Sequence, residues 1–88
     1  MDYEMLRAAL GSAVPMVKYL GLEIVEVGPG RGVVRLSDKP ELLNHVKSQH
    51  AAGLFAAGES ASGAAMTGAL ADKMAGMTPL AKSAVIAY

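Results

Sequence analysis

The sequence predicts one α+β domain, an antiparallel hairpin and a further strand set against a long central helix. Three observations predict it. The stretch from His50 to about Met77 is built almost wholly from Ala, Gly, Ser, Leu and Met, at helix-forming length. LEIVEV (22–27) and VVRL (33–36) are rich in β-branched residues and flank a Gly-Pro-Gly-Arg-Gly turn. AKSAVIAY (81–88) reads as a third strand after Gly76 and Pro79 end the helix.

At 88 residues the chain is one small domain, near the size at which a single core is only marginally stabilising. Its formal net charge is zero and it has no basic run, which argues against nucleic acid as its partner. With no cysteine, disulfide and thiolate chemistry are excluded. His45 and His50 are the two histidines, five residues apart with no carboxylate at ligand spacing, so neither a metal nor another cofactor is expected. The N-terminal MDYEMLRAALGSAVP has no basic segment leading into an apolar core and does not read as a signal peptide. Serines, few large apolar residues and a mid-span Glu59 count against a membrane span in the Ala/Gly stretch, so a cytoplasmic protein without membrane contact is expected.

Taken in order, Asp2 is placed to cap a first helix carrying Met5, Leu6, Ala9 and Leu10. Gly11 and Ser12 are expected to interrupt it. A short second turn through Pro15 carries Met16, Val17, Tyr19 and Leu20, and Gly21 ends it. The hairpin follows, with a longer glycine-rich loop. A phosphate cradle there would need a helix to follow, and a strand follows instead. Ser37-Asp38-Lys39-Pro40 breaks the second strand, and Glu41 to Asn44 lead toward the central helix.

Four glycines in that helix, Gly53, Gly58, Gly63 and Gly68, each cost about 1 kcal/mol relative to Ala. Such a helix must recover stability by close packing, here expected on nearly every side. Glu59 is its only ionisable side chain between Ala51 and Ala71. A carboxylate in that setting is costly unless paired or hydrogen-bonded, so a functional and a structural role both stand.

The helix entrance holds the other polar residues of interest. After His50, the first backbone N–H groups, on Ala51 and Ala52, lack intrahelical acceptors and lie at the positive end of the helix dipole, a natural place for an oxyanion. Asn44, in the preceding loop, is suited either to orienting a water or carbonyl or to satisfying its own loop. His50 is equally suited to capping. His50 and Glu59 are nine residues apart, two and a half turns and roughly 13 Å along a helix, and therefore face opposite sides. If both are catalytic, the site is shared between two chains whose helices pack antiparallel across a symmetry axis.

The order helix, LGLEIVEVGPGRGVVRL hairpin, LLNHVKSQHAAGLFAAGESASGAA helix and TPLAKSAVIAY strand resembles the hotdog-fold thioesterases, most closely their PaaI-like branch. The family motif is an Asn, a His six residues later followed by Gly, and an acidic residue nine after the His. Asn44, His50 and Glu59 match that spacing; Ala51 stands where Gly is usual, and Glu where many relatives have Asp. The resemblance implies a sheet wrapped around the central helix and assembly into dimers or tetramers. It implies hydrolysis of an acyl-CoA or related thioester. Glu59 would be general base or nucleophile, the amide after His50 would hold the carbonyl oxygen, and Asn44 would position substrate or water.

The resemblance spans residues 1–88 as a single hotdog-like domain, but reaches only the first part of the family domain. A helix of about 26 residues is roughly 39 Å long, whereas three strands span only about 10 Å between outer axes. The fold is therefore expected to be incomplete in this chain, a first part of something larger or a subunit completing its sheet with others. The alternative function is a non-catalytic oligomerisation or acyl-binding module. A dehydratase of the same fold is a third reading.

Overall fold

A computed structural model describes the whole chain, Met1–Tyr88. It is α+β: a two-stranded antiparallel sheet packed on one long helix, with two shorter helices at the side. Helix α1 (Tyr3–Ala13) starts where Asp2 caps it, the carboxylate accepting from the Met5 N–H at 3.0 Å. The expected break at Gly11–Ser12 does not occur. The helix runs through both and stops at Val14, where Pro15 forces an extended backbone (φ −101°, ψ 111°). Pro15 then opens α2 (Pro15–Leu20), which Gly21 ends as expected with φ 69°.

Strands β1 (Glu23–Gly28) and β2 (Arg31–Arg35) form the hairpin. The longer loop expected from the glycines is in fact a two-residue turn: Gly28 pairs with Arg31, leaving Pro29 and Gly30 at the tip. Proline fixes the first turn residue and Gly30 takes φ 72°, the pattern of a type II turn. Val25 is an extra residue in the ladder, since Ile24 pairs with Val34 and Glu26 already with Val33. This bulge lets Ile24 and Val27, three residues apart, both face the core at 5% and 6% exposure. On the outer face Glu23 and Arg35 pair at 2.8 Å, and Glu26 and Arg31 at 3.0 Å. Arg7 joins α1 to this sheet, donating to the Ile24 carbonyl (3.1 Å) and to the Glu4 carboxylate, whose pKa those hydrogen bonds hold below its usual value.

Helix α3 (Ala51–Leu70) is 20 residues, shorter than the 26 expected, and passes into a single 3₁₀ turn over Ala71–Lys73. It buries one stripe only, Gly53, Ala57, Ala64 and Gly68. These residues recur at spacings of four, seven and four, within about 60° of helical arc. Packing on nearly every side is therefore not what the chain provides. The stripe lies on the hairpin, and small residues on both elements set the distance. Ala64 is 2% exposed, a Cβ on Gly32 would overlap the Ala61 carbonyl oxygen, and one on Gly68 would overlap the Gly28 carbonyl oxygen. Val17 and Leu22 complete a core of six buried apolar side chains with Ile24, Val27, Ala57 and Ala64.

The third expected strand, Ala81 to Tyr88, is not a strand. The segment is unpaired, and the only sheet has two strands. It runs back along α3 instead: Ile86 reaches Gly58, and the Tyr88 hydroxyl donates to the Ala51 carbonyl at 2.7 Å. Val85, at 98% exposure, projects from it into solvent. No helix is long and apolar enough to cross a membrane.

Candidate active site

His50 is the N-cap of α3. Its backbone is extended (φ −68°, ψ 137°) and its Nδ1 accepts the Ala52 N–H at 2.9 Å. That bond uses one of the two amides suited to an oxyanion. The Ala51 N–H, one residue earlier, has no acceptor in the chain, so Ala51 carries the free donor at the helix entrance. The imidazole itself is exposed.

Asn44 organises the loop that delivers the chain to this point. Its Oδ1 accepts the Val46 N–H (3.0 Å) and the Ser48 N–H (3.1 Å), and its Nδ2 donates to Ser48 Oγ (3.0 Å). The loop is closed by a Leu43–Gln49 bridge and by the His50 N–H donating to the Leu42 carbonyl. Lys47 takes φ 63°, a left-handed conformation that costs a non-glycine residue free energy and that these bonds hold in place. Of the two roles open to Asn44 in the sequence, loop satisfaction is the one its contacts describe.

Glu59 stands apart from both. It is exposed, and its carboxylate has no ion pair or hydrogen bond within the chain. The costly buried carboxylate expected from the sequence is thus relieved: the small-residue helix is half open, and Glu59 lies on its open side. Three cavities meet there, and Glu59 is the one residue lining all three. The largest, about 410 Å³, lies between α3 and the α1–α2 corner, floored by Val17 and Ile24 and flanked by Pro79–Ala81. A second, about 260 Å³, continues toward Ala52 past Phe55 and Ala56. The third, about 240 Å³, lies under Ala84–Ile86. His50 lines none of them. Helical geometry keeps it half a turn round and roughly 13 Å along from Glu59, as the spacing predicts. No group of three His, Cys, Asp or Glu side chains is placed to hold a metal ion.

A family model described as domain of unknown function DUF4442 matches residues 3–88. The chain belongs to the DUF4442 family. Comparisons with curated proteins and with solved structures gave no match. Asn44, Ala51, His50 and Glu59 all lie within the DUF4442 match, as do the cavity walls from Leu10 to Ile86.

Several wall residues of these cavities carry no functional mark in the sequence. Val14 and Val17 look like ordinary core positions, and only the break at Pro15 turns them toward α3. Gly63 and Thr67, however, are legible in retrospect. They lie four and eight residues after Glu59, on the same helical face, and the spacing alone would have found them. Tyr88, which ties the last residue to the first turn of α3, had no local signal at all. Chemically, the arrangement offers a free carboxylate among apolar walls and, elsewhere, a free amide at a helix N-terminus.

Proposed function

We propose that this chain is an acyl-CoA thioesterase unit of the hotdog type, with its active site shared between two subunits. The observation that carries the reading is the unpaired carboxylate of Glu59 at the junction of three apolar cavities. The Asn44, His50 and Glu59 spacing and the free Ala51 N–H support it. In this reaction Glu59 removes a proton from water, and the water oxygen bonds to the thioester carbonyl carbon. The negative charge that collects on the carbonyl oxygen is held by the Ala51 amide at the entrance of the neighbouring chain's helix. The carbonyl re-forms as the C–S bond breaks, and Glu59 returns its proton to the departing thiolate. A carboxylic acid and a thiol leave. Asn44 acts indirectly, by holding the loop that aims the entrance.

Within this reading the site is shared, because Glu59 and Ala51 lie about 12 Å apart along one helix and do not reach one carbonyl together. Surface area supports assembly into a dimer or tetramer. The chain exposes 6204 Å², whereas a folded monomer of 9.0 kDa exposes about 4,900 Å². The excess of about 1,300 Å², part of which lies in the extended C-terminal segment, is of the order of the about 800 Å² per partner that a standard interface removes. Its radius of gyration of 13.5 Å is likewise above the about 12 Å of a compact chain of this length. Light scattering after size exclusion should therefore show a dimer or larger species. A monodisperse monomer with a cooperative melt would remove the shared site.

A direct test uses subunit exchange. A Glu59→Gln chain and an Ala51→Pro chain, which lacks the entrance N–H, should each be inactive on an acyl-CoA panel. Their mixture should recover up to about a quarter of wild-type turnover, since random exchange gives half mixed dimers with one intact site each. No recovery after confirmed exchange would refute sharing.

One observation favours a second reading, that of a non-catalytic acyl-binding or oligomerisation module. Asn44 spends its side chain on its own loop and so leaves the water-positioning role unfilled. Binding of acyl-CoA without turnover would select it.

A further inference from the structure

Two of the cavities at Glu59 share Val14, Val17 and Ser60 and so form one continuous trough along α3, from Ala52 to Thr67. At 1.5 Å per residue that is about 22 Å, with Glu59 about 10 Å from one end and about 12 Å from the other. The trough is long, and its two arms differ. The arm toward Thr67 is the larger, about 410 Å³, and is floored by the core residues Val17, Ile24 and Ala64. It contains no Lys, Arg, Asp or His, so Glu59 at its mouth is its only charge. Gly63 lies in its wall one helical turn beyond Glu59, and a Cβ placed there would meet nothing within 4 Å. That space is a gap in the packing at a position where any side chain but proline's would improve helix propensity.

We infer that this arm is an acyl subsite for an unbranched, uncharged aliphatic chain, and that Gly63 determines chain length by leaving the arm open. The inference rests on the thioester reading for the placement of the carbonyl at Glu59. It does not rest on turnover. An uncharged chain fits because nothing in the arm would pair with an acidic or basic substituent, and burying an unpaired charge there is costly. A straight chain fits because the arm follows the helix for two turns, from Glu59 to Thr67, with Val17 and Ile24 lining its floor. An arm of about 12 Å accommodates about eight to ten carbons, each C–C bond of about 1.5 Å advancing a zigzag somewhat less.

The test measures binding and hydrolysis separately, on the full chain. Hydrolysis-resistant S-alkyl thioethers of CoA with 2 to about 16 carbons are titrated calorimetrically against wild type, Glu59→Gln and Gly63→Leu. In wild type and Glu59→Gln the affinity should rise two- to fourfold per methylene, the upper value matching about 0.8 kcal/mol per buried CH₂. It should level off at about eight to ten carbons, where the arm ends. Gly63→Leu, which has room for its side chain, should keep a cooperative melt. It should lose at least about tenfold in affinity for the octyl ligand, and its plateau should move to shorter chains. Affinity independent of chain length, or an unchanged plateau in folded Gly63→Leu, would overturn the subsite. Parallel assays with the matching thioesters keep the two ideas apart. Length-dependent binding without hydrolysis leaves the subsite standing and removes the thioesterase. Hydrolysis indifferent to chain length does the reverse.

Discussion

Replacing Glu59 by Gln is expected to lower kcat/KM for acyl-CoA hydrolysis by about 10²- to 10⁴-fold, the range general-base catalysis supplies. The melting temperature should hardly move. Gln keeps the length and shape of the side chain but cannot take a proton from water at neutral pH. From the sequence alone, a buried unpaired carboxylate would make the same change stabilising. The structure decides against that gain: Glu59 is exposed and unpaired, and surface substitutions of that kind shift stability by only about 0.5 kcal/mol either way. Steady-state assays beside a thermal melt distinguish the outcomes. Turnover equal to wild type in the Gln variant would end the catalytic role of this residue.

Two glycines five residues apart on α3 should respond to substitution with opposite signs. Gly68 lies against the hairpin tip, where an added Cβ would overlap the Gly28 carbonyl oxygen and press on Val27 (3.2 Å). The obstacle is backbone and cannot rotate away, so Gly68→Val should destabilise by about 1–3 kcal/mol or more. In a domain of this size that lowers the melting temperature by roughly 5–20 °C. Gly63 faces open space, so Gly63→Ala should stabilise by up to about 1 kcal/mol through helix propensity. Urea melts of both variants measure the pair. A Gly68→Val chain as stable as wild type would mean that α3 does not sit on the hairpin as described.

Much of this architecture was legible because local chemistry decided it. Asp2, Pro15, Gly21 and His50 each sit where capping rules put them, and the β-branched runs on either side of Gly28 to Gly32 do pair. The bulge at Val25 was hidden because one unpaired residue leaves no composition signal and is fixed only by pairing with Val33 and Val34. AKSAVIAY misled for a related reason. β-propensity records that residues would suit a sheet surface, not that a partner strand is there to receive them. In the candidate site, the opposition of His50 and Glu59 follows from helical periodicity and needed no structure. The exposure of Glu59 did depend on structure, since Ala and Gly are as common at a loosely covered helix face as at a tightly packed one. The role of Asn44 depended on the turn at Lys47, which brings the Ser48 amide under its side chain.

The bond from Tyr88 to the Ala51 carbonyl closes a ring of chain on a single exposed hydrogen bond. Such a bond contributes about 0.5–1.5 kcal/mol net, while ordering the non-helical return from Met74 to Tyr88, about 15 residues, costs about 2–3 kcal/mol in closure entropy. The phenol alone therefore does not keep the ring shut, and the contact of Ile86 with Gly58 adds one more small hold. Pro79–Ala81 and Ala84–Ile86, which form one side of the cavities at Glu59, thus belong to a part of the molecule held by few contacts, of the kind that opens at small free-energy cost. A ligand settling beside the carboxylate must order its own wall, and the entropy of that ordering is subtracted from its affinity. The trough is in this sense only half built by folding, and its occupant supplies the remainder.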